Sequence, residues 1–373
     1  MVKINTPTKE ITEGLTRLKI PKDYLNKKHF FNPTVELSRD LTVLVLNTLD
    51  SKDWIICDTL AGIGARGVRI AKECSSKEVY VNDISVDDIP FIKNNVLMNS
   101  VKDKVKINNK DANQLLSDNI RIFDYIDIDP WGSPSYYFDS CGRAIKRSGY
   151  VGFSATDTAA LCGTSPITCL RRYGIESYKT DFFKELGLRI LISNAALTFG
   201  KWSFSFKPLL SFSSEHYFRV FAEIKKGKSI ASKSLKDNLN YVNYCPNCFW
   251  RKVGSPITKC EFCDSDTKII GKVWLGQIED LKFIERCREN LLKINWLKTE
   301  DKIKKLLFLL KNETIPFYYD IHKICEKHRF DLPNYQKLQN NLIEKGYLAN
   351  RTHFSGTGIK TDVSLEVLVK LLK

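Results

Sequence analysis

Asp58-Thr59-Leu60-Ala61-Gly62-Ile63-Gly64-Ala65-Arg66-Gly67 follows an apolar run at residues 54–58 and opens a helix-like stretch. Glycines at such a junction let the backbone come close to a ligand at a helix N-terminus. Gly62, Gly64 and Gly67 also satisfy the G-x-G-x-x-G dinucleotide pattern, which by itself equally describes a tight strand-to-helix turn with no ligand. Further short apolar runs lie at residues 78–83, 104–108, 125–129 and 150–155, alternating with helix-like sequence. Runs of this kind suit strands buried on both faces, and the alternation predicts an α/β fold, a parallel sheet with crossover connections.

The chain has 373 residues, 43% hydrophobic and 27% charged, which excludes a disordered or fibrous protein and leaves room for at least two cores. Lysine and arginine number 58 against 43 acids, a net charge of +15, and 27 of those bases against 17 acids fall in residues 226–373. An anionic partner such as nucleic acid is expected, met by the C-terminal two fifths. No apolar run approaches the roughly 18 residues that span a bilayer, so the stretches at 41–46 and 306–310 read as core. Met1-Val2-Lys3-Ile4-Asn5 offers no apolar signal region, and the expected location is cytoplasmic.

Residues 181–198 predict a helix, and the Phe-rich runs at 203–212 and 217–224 an antiparallel pair closing the sheet edge. Lys225-Lys226-Gly227-Lys228 then marks a boundary between a catalytic domain, 1–228, and a smaller C-terminal α/β domain, 229–373. The latter opens with Cys245-x-x-Cys248, eleven residues, then Cys260-x-x-Cys263. Two C-x-x-C turns give four thiolates for one closed, structural zinc site. The flanking Arg251, Lys252 and Lys259 read either as RNA contacts or as a solvated charged rim. Residues 315–328, 332–345 and 347–361 scan as helix, helix and hairpin. That order fits a winged helix with 334–345 as its recognition element, or an ordinary small α/β unit.

Asp83, 25 residues beyond Asp58, ends the second strand and suits an acid that accepts hydrogen bonds from both ribose hydroxyls; Asp111-Ala112, after the third, is placed to receive an adenine amine. Three acidic strand ends fit S-adenosylmethionine, a sulfonium without phosphates, better than a pyrophosphate. Asp127-Ile128-Asp129-Pro130-Trp131-Gly132 ends the fourth strand, where such sheets place reacting groups. An exocyclic base amine is a poor nucleophile. A carboxylate, Asp129, and a rigid carbonyl, Pro130, that accept its two N–H bonds orient it and help remove the proton, while Trp131 stacks on the base. Asp127 points to the opposite face and suits a structural salt bridge.

The run Asp129-Pro130-Trp131-Gly132-Ser133-Pro134, followed by Ser154-Ala155-Thr156-Asp157-Thr158-Ala159-Ala160-Leu161-Cys162-Gly163, resembles the tRNA guanine N2 dimethyltransferases that modify position 26, particularly their archaeal form. Phe30-Phe31-Asn32-Pro33 and Ser38-Arg39-Asp40 are similar to two N-terminal segments of that family, with Ser38 where it usually has Asn; likewise Trp131 stands where it usually has Phe. The resemblance implies a class I, Rossmann-like methyltransferase that uses S-adenosylmethionine, binds tRNA and needs no obligate protein partner. It places Arg39, Arg66, Asp83, Asp111 and Ala112 at the cofactor beside Asp58, Gly62 and Gly64, the two arginines holding the methionine carboxylate. Asp129 is then the catalytic carboxylate, with Phe30 or Phe31 as second wall of the base pocket. A methyltransferase of another base amine, an NAD-dependent oxidoreductase and a nonenzymatic RNA-binding module are the competing readings.

Overall fold

The run before the glycines is a central strand in the computed structural model, which describes residues 2–4, 6–24, 29 and 31–373. A hairpin of β1 (Thr8–Glu13) and β2 (Thr16–Pro21) precedes helix α1 (Glu36–Thr48). The alternating region then runs β3 (Ile55–Asp58), α2 (Ala65–Glu73), β4 (Glu78–Asn82), α3 (Ile89–Met98), β5 (Val105–Asn108), α4 (Ala112–Asp118), β6 (Phe123–Ile128), α5 (Phe138–Ala144) and β7 (Ile145–Ala155). Short helices α6 (Thr158–Leu161) and α7 (Pro166–Tyr173) lead to the long α8 (Phe183–Lys201). The pair β8 (Phe204–Ser214) and β9 (Tyr217–Lys226) completes the sheet. Its order is β5-β4-β3-β6-β7-β9-β8, parallel from β5 to β7 and antiparallel at the β9 pairings.

Successive strands progress outward to one side from β3 and to the other from β6, so a crevice opens at the C-terminal ends of these two. Ile56, Cys57, Ile126, Ile128, Val151 and Phe153 are fully buried, which is why their strands read as continuous apolar runs. Gly67 lets α2 seat on β4: a Cβ there would lie 2.5 Å from Val81 Cγ2. Gly64 caps α2 at φ 84°, the left-handed region that glycine enters without steric cost.

Beyond β9 come α9 (Lys228–Asn238) and the strands β10 (Leu239–Tyr244), β11 (Arg251–Gly254) and β12 (Lys268–Trp274), an antiparallel sheet with β10 in the middle. Helices α10 (Leu281–Leu291) and α11 (Glu300–Lys311) follow, then β13 (Tyr319–Asp320), α12 (Ile321–His328), α13 (Tyr335–Glu344), β14 (Ala349–Arg351), β15 (Gly358–Thr361) and α14 (Leu365–Leu372). The strand order β13-β15-β14 around two helices is a winged-helix arrangement. Its first helix starts later than the sequence pattern indicates, because Tyr319 and Asp320 pair with Ile359 and Gly358, and Asp320 then caps α12.

Apolar packing continues across residue 228. One cluster joins Ile126, Phe153 and Val220 to Val242, Tyr244, Trp274 and Phe317. A second joins Leu41 and Val45 of α1 to Ile284, Leu307 and Leu310 of α10 and α11. Asp40 pins this contact: Oδ1 accepts from Arg69 at 2.6 Å, and Oδ2 from the Thr299 backbone and hydroxyl at 3.0 and 2.7 Å. Among the described residues no helix is long and apolar enough to cross a membrane.

Candidate active site

Asp129 follows the last residue of β6 and lies on the wall shared by two cavities. The larger, about 290 Å³, is bounded by Asn32 and Thr34 ahead of α1, the turn Asp129-Pro130-Trp131, Thr156 after β7, and Glu215, His216 and Tyr217 at the β8–β9 turn. That volume is at the lower end of small-molecule pockets, ~300–1,000 Å³. Trp131 is 73% exposed at its mouth. The smaller, about 40 Å³, is bounded by Phe31, Asp58, Ala61 and Ala65; Asn32, Arg39 and Asp129 border both.

Arg66 of α2 donates from Nη2 to Asp129 Oδ2 and from Nη1 to Thr42 Oγ1 at 2.6 Å. Ser38 presents its carbonyl and hydroxyl oxygens to the same guanidinium at 3.4 Å, so the serine at this position serves the arginine from the first turn of α1. Behind Asp129, Asp127 is fully buried. It accepts from Arg219 and, at 2.5 Å, from the Tyr125 hydroxyl, and Arg66 Nε lies 3.4 Å away. The expected salt bridge of Asp127 is therefore present, but not on an opposite face: residues two apart share one side of a strand, and Arg66 reaches both Asp127 and Asp129. Burial pushes the Asp129 carboxyl up, but Arg66 and Arg219 outweigh it and hold it below the ordinary carboxylate range.

The remaining acids, Asp83 and Asp111, follow the neighbouring strands β4 and β5 at the same edge of the sheet, and neither is among the residues that bound the two cavities. Asp83 Oδ2 accepts from the Gly62 N–H at 2.7 Å and Oδ1 from Ser85 N at 2.9 Å; each oxygen retains a lone pair for a further donor. Asp111 caps α4, accepting at Oδ1 from Asn113 N and Gln114 N at 2.9 and 3.1 Å, and Ala112 is buried in the first turn. Asp58 is buried with Oδ2 lacking any partner. Burial, reinforced by Asp127, pushes its carboxyl up to about 7. An orphaned buried oxygen beside a glycine cradle suits the cationic amino-acid end of S-adenosylmethionine, so the residues present fit that cofactor.

Arg39 departs from the simplest expectation. Its Nε and Nη2 bind Glu13 of β1 at 2.7 and 2.6 Å, and Nη1 binds the Asn32 carbonyl at 3.1 Å. Both guanidiniums expected to hold the methionine carboxylate are engaged by carboxylates of the chain itself, Arg39 by Glu13 and Arg66 by Asp129 and Asp127. Phe31 is buried with Leu18, Ile20 and Ile63 and borders the smaller cavity rather than the one beneath Trp131; Phe30 lies outside the described residues.

Sequence reasoning missed Thr156, Glu215, His216, Tyr217 and Arg219. The lone arginine in the apolar run Tyr217-Phe218-Arg219-Val220-Phe221 was the available signal, since a cation there must find a buried acid. Thr156 Oγ1 accepts the Gly132 N–H at 2.7 Å, which ties the Asp-Pro-Trp-Gly turn to β7.

The sulfurs of Cys245, Cys248, Cys260 and Cys263 lie within 4.8 Å of one another, with two pairs at 3.5 Å. Zn–S bonds of ~2.3 Å in a tetrahedron separate sulfurs by about 3.8 Å, so the four fit one closed structural zinc site. Of the three flanking cations, one serves the fold. Arg251 is buried, 3.2 Å from Asp181 and 3.7 Å above the Tyr319 ring, while Lys252 and Lys259 pair with Glu261 and Asp266.

The family model for N2,N2-dimethylguanosine tRNA methyltransferase matches residues 2–373. Curated proteins named tRNA (guanine(26)-N(2))-dimethyltransferase are similar along the chain: that of Methanobrevibacter smithii is 35% identical, covering 98% of this chain and 97% of its own, and that of Methanopyrus kandleri 36%, covering 95% and 94%. The solved complex of Trm1 from Pyrococcus horikoshii with S-adenosyl-L-methionine superposes with a TM-score of 0.90 at 33% identity, covering 98% of this chain and 100% of that one. With motifs, fold and full-length similarity in agreement, the chain belongs to the N2,N2-dimethylguanosine tRNA methyltransferase family.

Proposed function

We propose that this chain is a tRNA methyltransferase that dimethylates the N2 amine of guanine 26, with S-adenosylmethionine as donor and Asp129 as the carboxylate that orients the amine and takes its proton. The observation that carries the residue assignment is the place of Asp129 on the wall common to the two cavities, one wide enough for a base and one lined by Asp58, Leu60 and Ala61 at the end of β3. Bound there, S-adenosylmethionine supplies an electrophilic methyl group.

Asp83 would hold the ribose hydroxyls, Asp111 and Ala112 the adenine edge, and Asp58 the ammonium. Gly62 and Gly64 let the backbone approach. Arg66 keeps Asp129 ionised and fixed, and Arg39 serves the methionine carboxylate by exchanging Glu13 for it. An ionised Asp129 accepts an amine N–H in company with the Pro130 carbonyl, which aims the nitrogen lone pair away from the base ring, and Trp131 supports the extruded base. A second transfer needs room for one N-methyl group, which the wider cavity offers.

Residues 1–228 would carry the chemistry and residues 229–373 much of the grip on tRNA, in the cytoplasm, where thiolates stay reduced for zinc. The test is incubation with S-adenosylmethionine and an unmodified tRNA transcript, nucleoside digestion and mass spectrometry. N2-methyl- and N2,N2-dimethylguanosine that vanish when guanine 26 is replaced are expected; methylation of another base would refute the specificity.

A further inference from the structure

A third cavity, about 410 Å³, opens where α11, the β14–β15 hairpin and the end of β8 meet. We propose that it binds the phosphodiester backbone of the tRNA beside the methylated base; the inference rests on the functional reading above and adds to it a place and residues for the grip.

Three cations converge there: Lys302 and Lys305 from α11, and Arg351 from β14. Among the described residues none has a carboxylate within ion-pair distance, and Arg351 lies 4.0 Å from the face of Tyr335. On the same helix Lys304 and Lys311 are paired to Glu300 and Glu285, so the uncompensated charge is confined to the cavity. Exposed cations held close together repel one another. Phosphates relieve that repulsion and release counterions on binding.

The floor is built. His353 Nε2 accepts the Ser213 N–H at 3.1 Å, and its Nδ1 donates to Glu313 at 2.7 Å, locking the hairpin to β8. Glu313 adds no open acceptor, because Thr352 Oγ1 and the His353 N–H also donate to it, at 2.8 and 2.6 Å, and Lys360 stands 3.7 Å away. Ser213, Ser214 and Ser355 contribute hydroxyls, and Gly356 leaves open backbone.

Location supplies the connection to catalysis. Ser213 and Ser214 border this cavity, and the next three residues, Glu215, His216 and Tyr217, border the cavity of Asp129 and Trp131. One β-turn separates them, so a strand whose base enters the active site passes its neighbouring phosphates over Lys302, Lys305 and Arg351. Helix α13, with Lys337 within it and Lys345 at its C-cap, is the weaker electrostatic candidate despite its recognition-helix position.

The experiment compares wild type, the triple variant Lys302→Ala/Lys305→Ala/Arg351→Ala, and Lys304→Ala as the paired-lysine control. Affinity for a tRNA transcript is read by fluorescence anisotropy across salt concentrations, alongside S-adenosylmethionine affinity and methylation at saturating tRNA. Each lost phosphate contact removes about 0.7–0.9 from the log–log salt slope, so the triple variant should lose about two to three in slope and ~10²-fold in affinity near 0.1 M salt. Cofactor affinity and saturated rate should stay at wild-type values. A triple variant with the slope and affinity of Lys304→Ala overturns the proposal. Because binding is read apart from methylation, a wild type that grips tRNA through these residues but leaves guanine 26 unmodified refutes only the functional reading.

Discussion

Replacing Asp129 by asparagine keeps the side-chain volume and removes the charge. With a positive charge developing on the amine about 4 Å away, the lost attraction is ~4 kcal/mol at an effective dielectric of 20. A positioned general base is worth ~10²–10⁴-fold in rate, about 3–5 kcal/mol. Arg66 and Arg219 already stabilise the carboxylate and weaken it as a base, which puts the expected loss near ~10²–10³-fold. Single-turnover methylation at saturating S-adenosylmethionine measures it, with cofactor affinity by calorimetry as the companion reading. Affinity should hold within a few fold, because Asp58, Asp83 and Asp111 are untouched. The same ion pairs set a pH dependence. The active form is ionised and its carboxyl lies below the ordinary range, so the wild-type rate should show no loss from Asp129 as pH falls from 8 to about 5. A residual rate within threefold of wild type, or a loss matched by lost cofactor binding, would refute the assignment.

Other substitutions test the supporting structure. Cys248→Ser should release the metal, measured as zinc per chain, and lower the thermal midpoint by several degrees, since structural zinc contributes directly to folding. Arg251→Ala leaves Asp181 buried without its cation and should cost about 3–5 kcal/mol in urea unfolding, with the salt slope of tRNA binding unchanged. Glu279 is buried with neither oxygen hydrogen-bonded, and burial pushes its carboxyl up to about 8. Its contribution is complete below the unfolded value near 4.5 and fades as pH rises through about 8. Glu279→Gln should therefore remove a fall in stability of roughly 4 kcal/mol between pH 5 and 9, at most ~1.4 kcal/mol per pH unit; identical slopes in the two proteins would contradict a neutral buried acid.

The parallel strands were legible because burial on both faces leaves a contiguous apolar run, and the acids at their ends follow directly. The four cysteines were legible because a metal site of this type is written in local spacing. What escaped depends on long-range pairing. Nothing in Ser38-Arg39-Asp40 announces that Glu13 will take Arg39 or that Thr299 will bind Asp40. Arg251 looks like any basic neighbour of a zinc knuckle until Asp181, 70 positions earlier, is found beneath it. The β8–β9 turn borders the active cavity only because β9 inserts between β7 and β8, an order that apolar patterning does not encode.

The apolar clusters that run through residue 228 have a consequence for how the protein can be taken apart. Val242, Tyr244, Trp274 and Phe317 complete the packing around the central sheet, and α10 and α11 cover α1. A fragment ending at residue 228 would present those surfaces to water and to one another, inviting self-association. The two portions are thus expected to melt as one cooperative unit, and exchanging either as a module to require rebuilding the seam.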